Sequence, residues 1–420
     1  MRTLVKELKE KVGQSVKLYL TLDVLRDQKH LQFILGHDKS GSIQLVISKS
    51  KVPNHEEIGQ LLQGSTFVVE GVLVEAVQSK TQGVELQVDK LEIMSKAQAW
   101  PITEESSIDL RFDFRTVDLK FEKTKLIFRV RSALIQGCRD YLLSKGMTEF
   151  TFPSLLKTAS ESGSQVFPVK YFDKTAYLAQ SPQFAKQACA MAFEEGCFSV
   201  GNIFRAEDSR SSRHLTEFTG LDVECSWLDL EEIMKLEEEM LCHAFKKLEP
   251  FKEDVKRLFG VDLLIDPTVQ YMTLAEAKAI LKEHGMPLSK EQDLPDAGEL
   301  KLFEVLGKDF IFVTEYPIAK RPFYHVWDRE KGTTKSYDLI MSGIEITSGS
   351  ERENSFDKVC EQALEKGASL EGISEYLDTF KYGTPKTSGF GIGIERIVAK
   401  LLGLSSVKEA SLFPKDPDRL

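Results

Sequence analysis

The sequence predicts an α+β fold in two unequal parts, a small β-barrel followed by a larger domain of mixed strands and helices. Three observations carry that expectation. Five short strand-like runs crowd the first 98 residues. Two apolar runs, CFSVGNIF and the stretch through Phe218, Leu221 and Val223, flank a polar loop like the arms of a long hairpin. Two amphipathic helical stretches, FRVRSALIQGCRDYLLSKG and LEEIMKLEEEMLCHAFKKL, lie on either side of that hairpin. A chain of 420 residues suits two domains rather than one, and its 42% apolar content is enough for a full core.

Residues 1–98 open with a short amphipathic helix. The runs VKLYLTLDVL, LQFILGHD, SIQLVIS, STFVVEGVLVEAV and GVELQVDKLEIM follow, separated by Gly and Lys-Ser turns. A helical stretch, HEEIGQLLQ, sits between the third and fourth. Five strands with a helix at that place fit an OB-fold barrel. Residues 99–120, with Trp100-Pro101 and a mixed LRFDFRTVDLK, read as a hinge into the second domain, 121–420.

That domain begins with the helix in 128–146, which Gly146 closes as a C-cap, and a short strand that ends at Pro153. A small polar loop then holds Ser160, Glu161, Ser162 and Gly163, a composition that suits a mobile lid. The segment QSPQFAKQ places Gln183 and Lys186 at the start of a helix. Next comes the hairpin, whose loop DSRSSRH follows Arg205 and Glu207 and carries Arg213 and His214. Arginines in such a loop give planar, permanently charged donors to phosphate oxygens. A solvated hairpin of mixed charge is the alternative for this stretch taken alone. Residues 225–312 show helices and no candidate chemistry, and about 246–312 reads as a variable insertion. In KSYDLIMSGIEITSGSER, Asp338 and Glu345 lie seven apart on neighbouring strand-like pieces, a placement of hard oxygens that suits Mg²⁺ on a triphosphate, with two carboxylates on a solvated sheet edge as the alternative. In SGFGIGIERIVAKLLGL, glycines alternate with apolar residues through Gly393. One face of that strand is thereby bare enough to lie against a flat ligand, and Glu395-Arg396 opens the helix that follows. The GxGxxG spacing of a dinucleotide site is absent.

Composition narrows the function classes further. No run approaches the apolar length of a membrane span, and MRTLVKELKEK lacks a signal-peptide core, so a cytoplasmic protein with no membrane partner is expected. Six scattered cysteines without a CxxC read as reduced thiols, not a zinc site. The net charge is −10; the first hundred residues hold 13 Lys+Arg against 12 Asp+Glu, so the acidity lies in the rest. A polyanion partner therefore depends on local patches.

Taken in order, the helix–strand at 128–153, the hairpin NIFRAEDSRSSRHLTEFTGLDVE and the glycine strand with Glu395-Arg396 resemble motifs 1, 2 and 3 of class II aminoacyl-tRNA synthetases. The resemblance is strong over 100–420, weaker over 1–98, and leans to the archaeal and eukaryotic aspartyl branch of the aspartyl/asparaginyl subfamily. The tail Phe413-Pro414-Lys415-Asp416-Pro417 is typical of that branch. It implies an antiparallel catalytic sheet flanked by helices, a homodimer built on motif 1, and an aspartate–tRNA ligase. Such an enzyme takes ATP, Mg²⁺, L-aspartate and tRNA for aspartate, with tRNA for asparagine left open.

By the same resemblance, Arg205 and Arg396 are catalytic, and ATP also meets Glu207, Arg213, His214, Leu215, Phe218, Glu345 and Gly393. Aspartate meets Ser160, Glu161, Gln183, Lys186, Asp222, Ser348 and Arg352; Lys186 and Arg352 serve as paired cations for its side chain and Asp222 takes its ammonium. Asp338, Glu345 and Ser348 hold the metal, while Arg26, Phe33 and Gln44 of the barrel meet the anticodon. The chain departs from the family where Gly36-His37-Asp38 replaces Leu-Arg-Asp, Leu-Tyr-Leu-Thr replaces Gly-Trp-Val, and Glu351 replaces Gln. The runner-up is a paralogue that activates aspartate or asparagine for asparagine synthesis or a non-tRNA acceptor. A non-catalytic RNA-binding descendant is disfavoured, because Arg205, Phe218, Asp338, Glu345 and Arg396 are all present.

Overall fold

A computed structural model describes residues 3–76, 83–157, 166–193 and 195–420. The chain divides into two compact units, Met1–Asp118 and Leu119–Leu420.

The first unit is a closed barrel of β1 (Ser15–Asp27), β2 (Leu31–Asp38), β3 (Gly41–Ser48), β4 (Thr66–Glu75) and β5 (Val84–Ser95), joined in the order β1-β2-β3-β5-β4. Only β3 and β5 run parallel. The long β1 closes it: Ser15–Thr21 pairs with β4 and Thr21–Asp27 with β2. Period-two alternation sends Leu18, Leu20, Leu22, Ile34, Leu45, Ile47, Val69 and Leu86 inward. Each such burial contributes ~1.5–3 kcal/mol. The helical stretch between β3 and β4 is shorter than expected. It is one turn, α1 (His55–Ile58), because Gly59 follows at once and Gly64 turns the chain with a positive φ. The N-terminal helix is a 3₁₀ segment over Val5–Lys11. Residues expected as a hinge fold partly as α2 (Ile108–Asp113) and α3 (Arg115–Asp118).

The second unit opens with α4 (Glu122–Ser144), β6 (Thr148–Glu149), and a small sheet of β7 (Leu155–Leu156), β8 (Pro168–Tyr171) and β9 (Lys174–Leu178). It continues through α5 (Gln183–Ala192), β10 (Cys197–Phe204), β11 (Glu217–Ser226), α6 (Leu230–Lys246), α7 (Lys252–Phe259), β12 (Val269–Thr273), α8 (Leu274–Glu283), α9 (Asp296–Leu306) and β13 (Phe310–Thr314). The last elements are β14 (Trp327–Asp328), β15 (Thr333–Thr334), β16 (Ser336–Met341), β17 (Ile344–Arg352), α10 (Phe356–Glu365), α11 (Ser374–Phe380), β18 (Thr387–Gly393) and α12 (Ile394–Leu401). Eight strands form one sheet in the order β12-β13-β16-β17-β18-β11-β10-β6. It is antiparallel except for the edge pairs β12–β13 and β6–β10.

The sheet has two unlike faces. Leu221, Val223, Leu339, Phe390 and Ile392 pack with Leu126, Val130 and Leu134 of α4, Ile233 and Leu241 of α6, and Ile397 and Val398 of α12. Gly137 lets α4 approach α6 closely, since a Cβ there would lie 2.6 Å from the Ala244 Cα. An Asp229–Glu232 capping box starts α6. On the opposite face a cross-strand row runs Val313, Asp338, Ser348, Gly391, Asp222, Ser199. Ile311 and Val313 at one end of that face are covered by Ala277 and Leu281 of α8 and Leu302 of α9. At the other end α5 covers β10, β11 and β18, where Lys186 meets Asp222 and Ser226 donates to the Ala190 carbonyl.

Candidate active site

Between those two covers the face opens into a pocket. Its wall includes Gln183, Lys186, Arg205, Glu207, Arg213, His214, Leu215, Phe218, Asp222, Glu345, Ser348, Arg352, Gly393 and Arg396. Residues scattered over more than 200 positions meet because β10, β11, β16, β17 and β18 are neighbours and every second side chain points the same way. Ser160 and Glu161 lie outside the described residues. Arg26, Phe33 and Gln44 belong to the barrel. There, Phe33 is half-buried on the face opposite the inward Gln32 and Ile34, directly across from exposed Arg26. The Gln44 amide donates to Glu85 Oε2 at 3.1 Å.

At the deep end, four charges are closed on one another. Lys186 (2% exposed) places Nζ 3.0 Å from Asp222 Oδ1, 2.9 Å from the Phe390 carbonyl and 3.7 Å from Glu224 Oε2. Arg352 (4% exposed) donates to both oxygens of fully buried Glu224, Nε at 2.9 Å and Nη2 at 3.0 Å. Lys186 and Arg352, expected as paired cations for a substrate carboxylate, are both brought to this end of the pocket. Each already holds a β11 carboxylate, because a buried charge without a partner costs several kcal/mol. Glu224 was not anticipated; an acid in a strand of alternating polarity reads as solvated. On the glycine strand, Gly391 and Gly393 line the pocket. Gly389 and Gly391 face the carboxylates of Glu224 and Asp222, and a Cβ on Gly389 would stand 2.0 Å from Glu224 Oε2. Beside this group, His325 is buried with Nδ1 unpartnered. Burial first, then Arg352, Arg321, Lys366 and Lys186, hold its imidazole well below the usual histidine range and so neutral.

The outer end is more open. Arg205 (45% exposed) lies with Cζ 5.5 Å from the Phe218 ring centroid and with Nη1 3.9 Å from Glu207 Oε1. His214 Nε2 is 3.7 Å from Glu207, and its Nδ1 meets the Ser211 hydroxyl. Leu215 packs against Ala399 and Val407, anchoring the returning arm of the loop. Arg213 is drawn towards α9, 3.0 Å from Asp296 and 3.5 Å from Glu299. Residues 225–312, expected to carry no chemistry, therefore reach the site.

Between the two ends stand the oxygens expected to hold metal. Asp338 is bonded on both oxygens by Arg321, with Nη1 to Oδ1 at 3.0 Å, and accepts from the Ser348 hydroxyl at 2.6 Å. Arg321 also lies 3.8 Å over the Tyr316 ring. Asp338 is thus engaged, which leaves Glu345 as the accessible carboxylate. Arg396 Nη1 donates to the Glu345 carbonyl at 2.8 Å and lies 3.6 Å from Oε1. Among the described residues no three His, Cys, Asp or Glu side chains converge as metal ligands, and no helix is long and apolar enough to cross a membrane.

Residues 107–417 match the family of tRNA synthetases class II (D, K and N). The chain is 39% identical to an aspartate–tRNA(Asp/Asn) ligase of Thermus thermophilus over 100% of both chains. It is 35% identical to an aspartate–tRNA(Asp) ligase of Picrophilus torridus over 94% of each. A solved structure of asparaginyl-tRNA synthetase from Pyrococcus horikoshii, complexed with asparaginyl-adenylate, superposes with a TM-score of 0.94 at 33% identity, covering 100% of this chain and 99% of that one.

Proposed function

Because the chain belongs to the class II tRNA synthetase family (D, K and N), we propose that it is an aspartate–tRNA ligase, which activates L-aspartate with ATP and transfers it to the 3′ end of tRNA. The observation that carries the choice of amino acid is the Lys186–Asp222 ion pair on the pocket wall. Bound aspartate exchanges this one internal pair for two: its ammonium takes Asp222, and its side-chain carboxylate takes Lys186. Arg352 remains charge-balanced by Glu224 and adds a donor edge. Asparagine also takes Asp222, but then leaves Lys186 facing a neutral amide, a cost of about 2–5 kcal/mol. Gln183, at the start of α5, lines the same end and helps to hold the ammonium.

In the first step an oxygen of the substrate α-carboxylate attacks the α-phosphorus, the bond to the bridging oxygen breaks, and pyrophosphate leaves. In such a displacement, positioning and charge neutralisation supply most of the acceleration. Arg205 bridges the attacking carboxylate and the α-phosphate. The adenine lies between Phe218 and Arg396, near Glu207 and Gly393, while Arg213 and His214 meet the outer phosphates. Glu345 and Ser348 fit Mg²⁺ carried by the nucleotide, since that ion commonly takes one or two carboxylates and completes its shell with phosphate oxygens and water. Bound there, it would neutralise charge on the departing pyrophosphate. A ribose hydroxyl of tRNA then attacks the adenylate carbonyl and AMP leaves.

The barrel presents Arg26, Phe33 and Gln44 to the anticodon of tRNA for aspartate, and the two named ligases leave open whether tRNA for asparagine is also used. Exposed Leu143 near the end of α4, Leu155 on β7 and Phe193, whose ring packs against Phe150 just after β6, suit a homodimer built on the helix–strand at 128–153. A second reading is asparagine activation. It is favoured by the paired Glu224 and Arg352, an acceptor and donor set that also suits an amide, and by the asparaginyl-adenylate complex of the similar structure.

Charging of total tRNA with labelled aspartate, with asparagine in parallel, tests the proposal. Aspartyl-tRNA is expected. Aspartate-dependent pyrophosphate exchange without charging would point to a paralogue with another acceptor.

A further inference from the structure

Glu299 lies behind the pocket wall on the first turns of α9, in a stretch of sequence that shows no motif. It is buried, and its Oε2 accepts the Glu345 backbone N–H at 2.9 Å while standing 3.5 Å from Arg213 Nη1. Arg396 donates to the carbonyl of the same Glu345 at 2.8 Å. The Glu345 residue is thus tied at its N–H by Glu299 and at its carbonyl by Arg396. The preceding turn fits the same helix: Ser342 and Gly343 both have positive φ, and a Cβ on Gly343 would meet Leu300 of α9 at 3.0 Å. One carboxylate oxygen therefore links two pocket residues distant in sequence, one on β17 and one in the β10–β11 loop.

We infer that Glu299 is a positioning residue for adenylation, which sets Glu345 through its backbone and Arg213 through its charge. The inference rests on the adenylation reading above. Its two arms separate by substitution. Glu299→Gln keeps a side-chain oxygen for the Glu345 N–H but removes one of the two carboxylates facing Arg213, the other being Asp296 at 3.0 Å. Glu299→Ala removes that oxygen and that charge alike. A purely structural role makes no such division.

The test is ATP–pyrophosphate exchange on the full chain, with Glu304→Gln as control; Glu304 is on the same helix, where its side chain is half-exposed and pairs with Lys301. Glu299→Ala is expected to lower kcat about tenfold or more, because a buried N–H loses its acceptor. Glu299→Gln is expected to restore kcat to within about threefold while the KM for ATP stays several-fold raised. Glu304→Gln matches wild type. ATP binding measured by calorimetry in EDTA needs no turnover, and should weaken several-fold in both Glu299 variants. Unchanged kinetics and unchanged ATP binding in Glu299→Ala overturn the inference, as do equal losses in both variants accompanied by an equal fall in Tm. Wild-type protein that shows no exchange with any amino acid refutes the adenylation reading instead, and the EDTA binding comparison still decides whether Glu299 positions Arg213.

Discussion

The two ends of the pocket hold their charges differently. Lys186, Asp222, Glu224 and Arg352 are almost wholly buried and satisfy one another at 2.9–3.0 Å. Arg205, Glu207 and His214 stand half-open, with ion-pair distances of 3.7–3.9 Å. In the first region low dielectric makes each pair strong and each orphan expensive, so geometry is set before any ligand arrives. In the second, solvent screens the pairs and the side chains are free to rearrange around phosphates. A deep, rigid end suits discrimination between similar small molecules. An open, cationic end suits a polyphosphate that enters and leaves.

Substitution sharpens this contrast. Arg352→Met strands a buried Glu224 and should cost about 3–5 kcal/mol of stability together with activity. Adding Glu224→Met should recover most of the stability but not the activity. A single variant as stable as wild type in thermal unfolding would show that the deep network is not structural. Arg205→Ala should do the reverse, lowering pyrophosphate exchange about a hundredfold or more while stability moves by less than about 0.5 kcal/mol. Near-normal exchange would remove the α-phosphate role from Arg205.

A third test reaches the helix-covered face of the sheet. Glu237 is fully buried, accepts from the Tyr337 hydroxyl, and is pushed up to about 7 by burial. Because the folded chain holds this proton more tightly than the unfolded chain does, Glu237 favours folding at low pH. That contribution falls as pH rises from the unfolded carboxyl range to about 7. Glu237→Gln should therefore gain stability relative to wild type between pH 5 and 8, by about 3 kcal/mol at most. Parallel unfolding curves across that range would show that Glu237 does not titrate there. The smallest effect is expected in the barrel: Phe33→Ala should leave exchange intact and weaken tRNA charging by about 1–2 kcal/mol in kcat/KM. An equal loss of exchange would show that the substitution reports on the fold rather than on tRNA.

Much of this was legible in the sequence because the signals are local. Alternation marks the barrel strands and the β10–β11 hairpin, and a basic loop between apolar arms marks the outer end of the pocket. Other features depend on register or on distant partners. Glu224 looks like a surface acid until Gly389 of β18 is placed across from it. Asp338 looks like a free metal ligand until Arg321, seventeen residues earlier, is seen on both its oxygens. Glu299 precedes Glu345 by 46 residues and follows Arg213 by 86, so no pattern in a window joins them.

The central claim is that the deep network selects a carboxylate side chain. Its most direct test is the ratio of kcat/KM for aspartate over asparagine in ATP–pyrophosphate exchange by the wild-type chain. Aspartate should be preferred by about thirtyfold or more, the equivalent of about 2 kcal/mol. Equal use of the two, or a preference for asparagine, would contradict the claim and assign the Glu224–Arg352 pair to amide recognition.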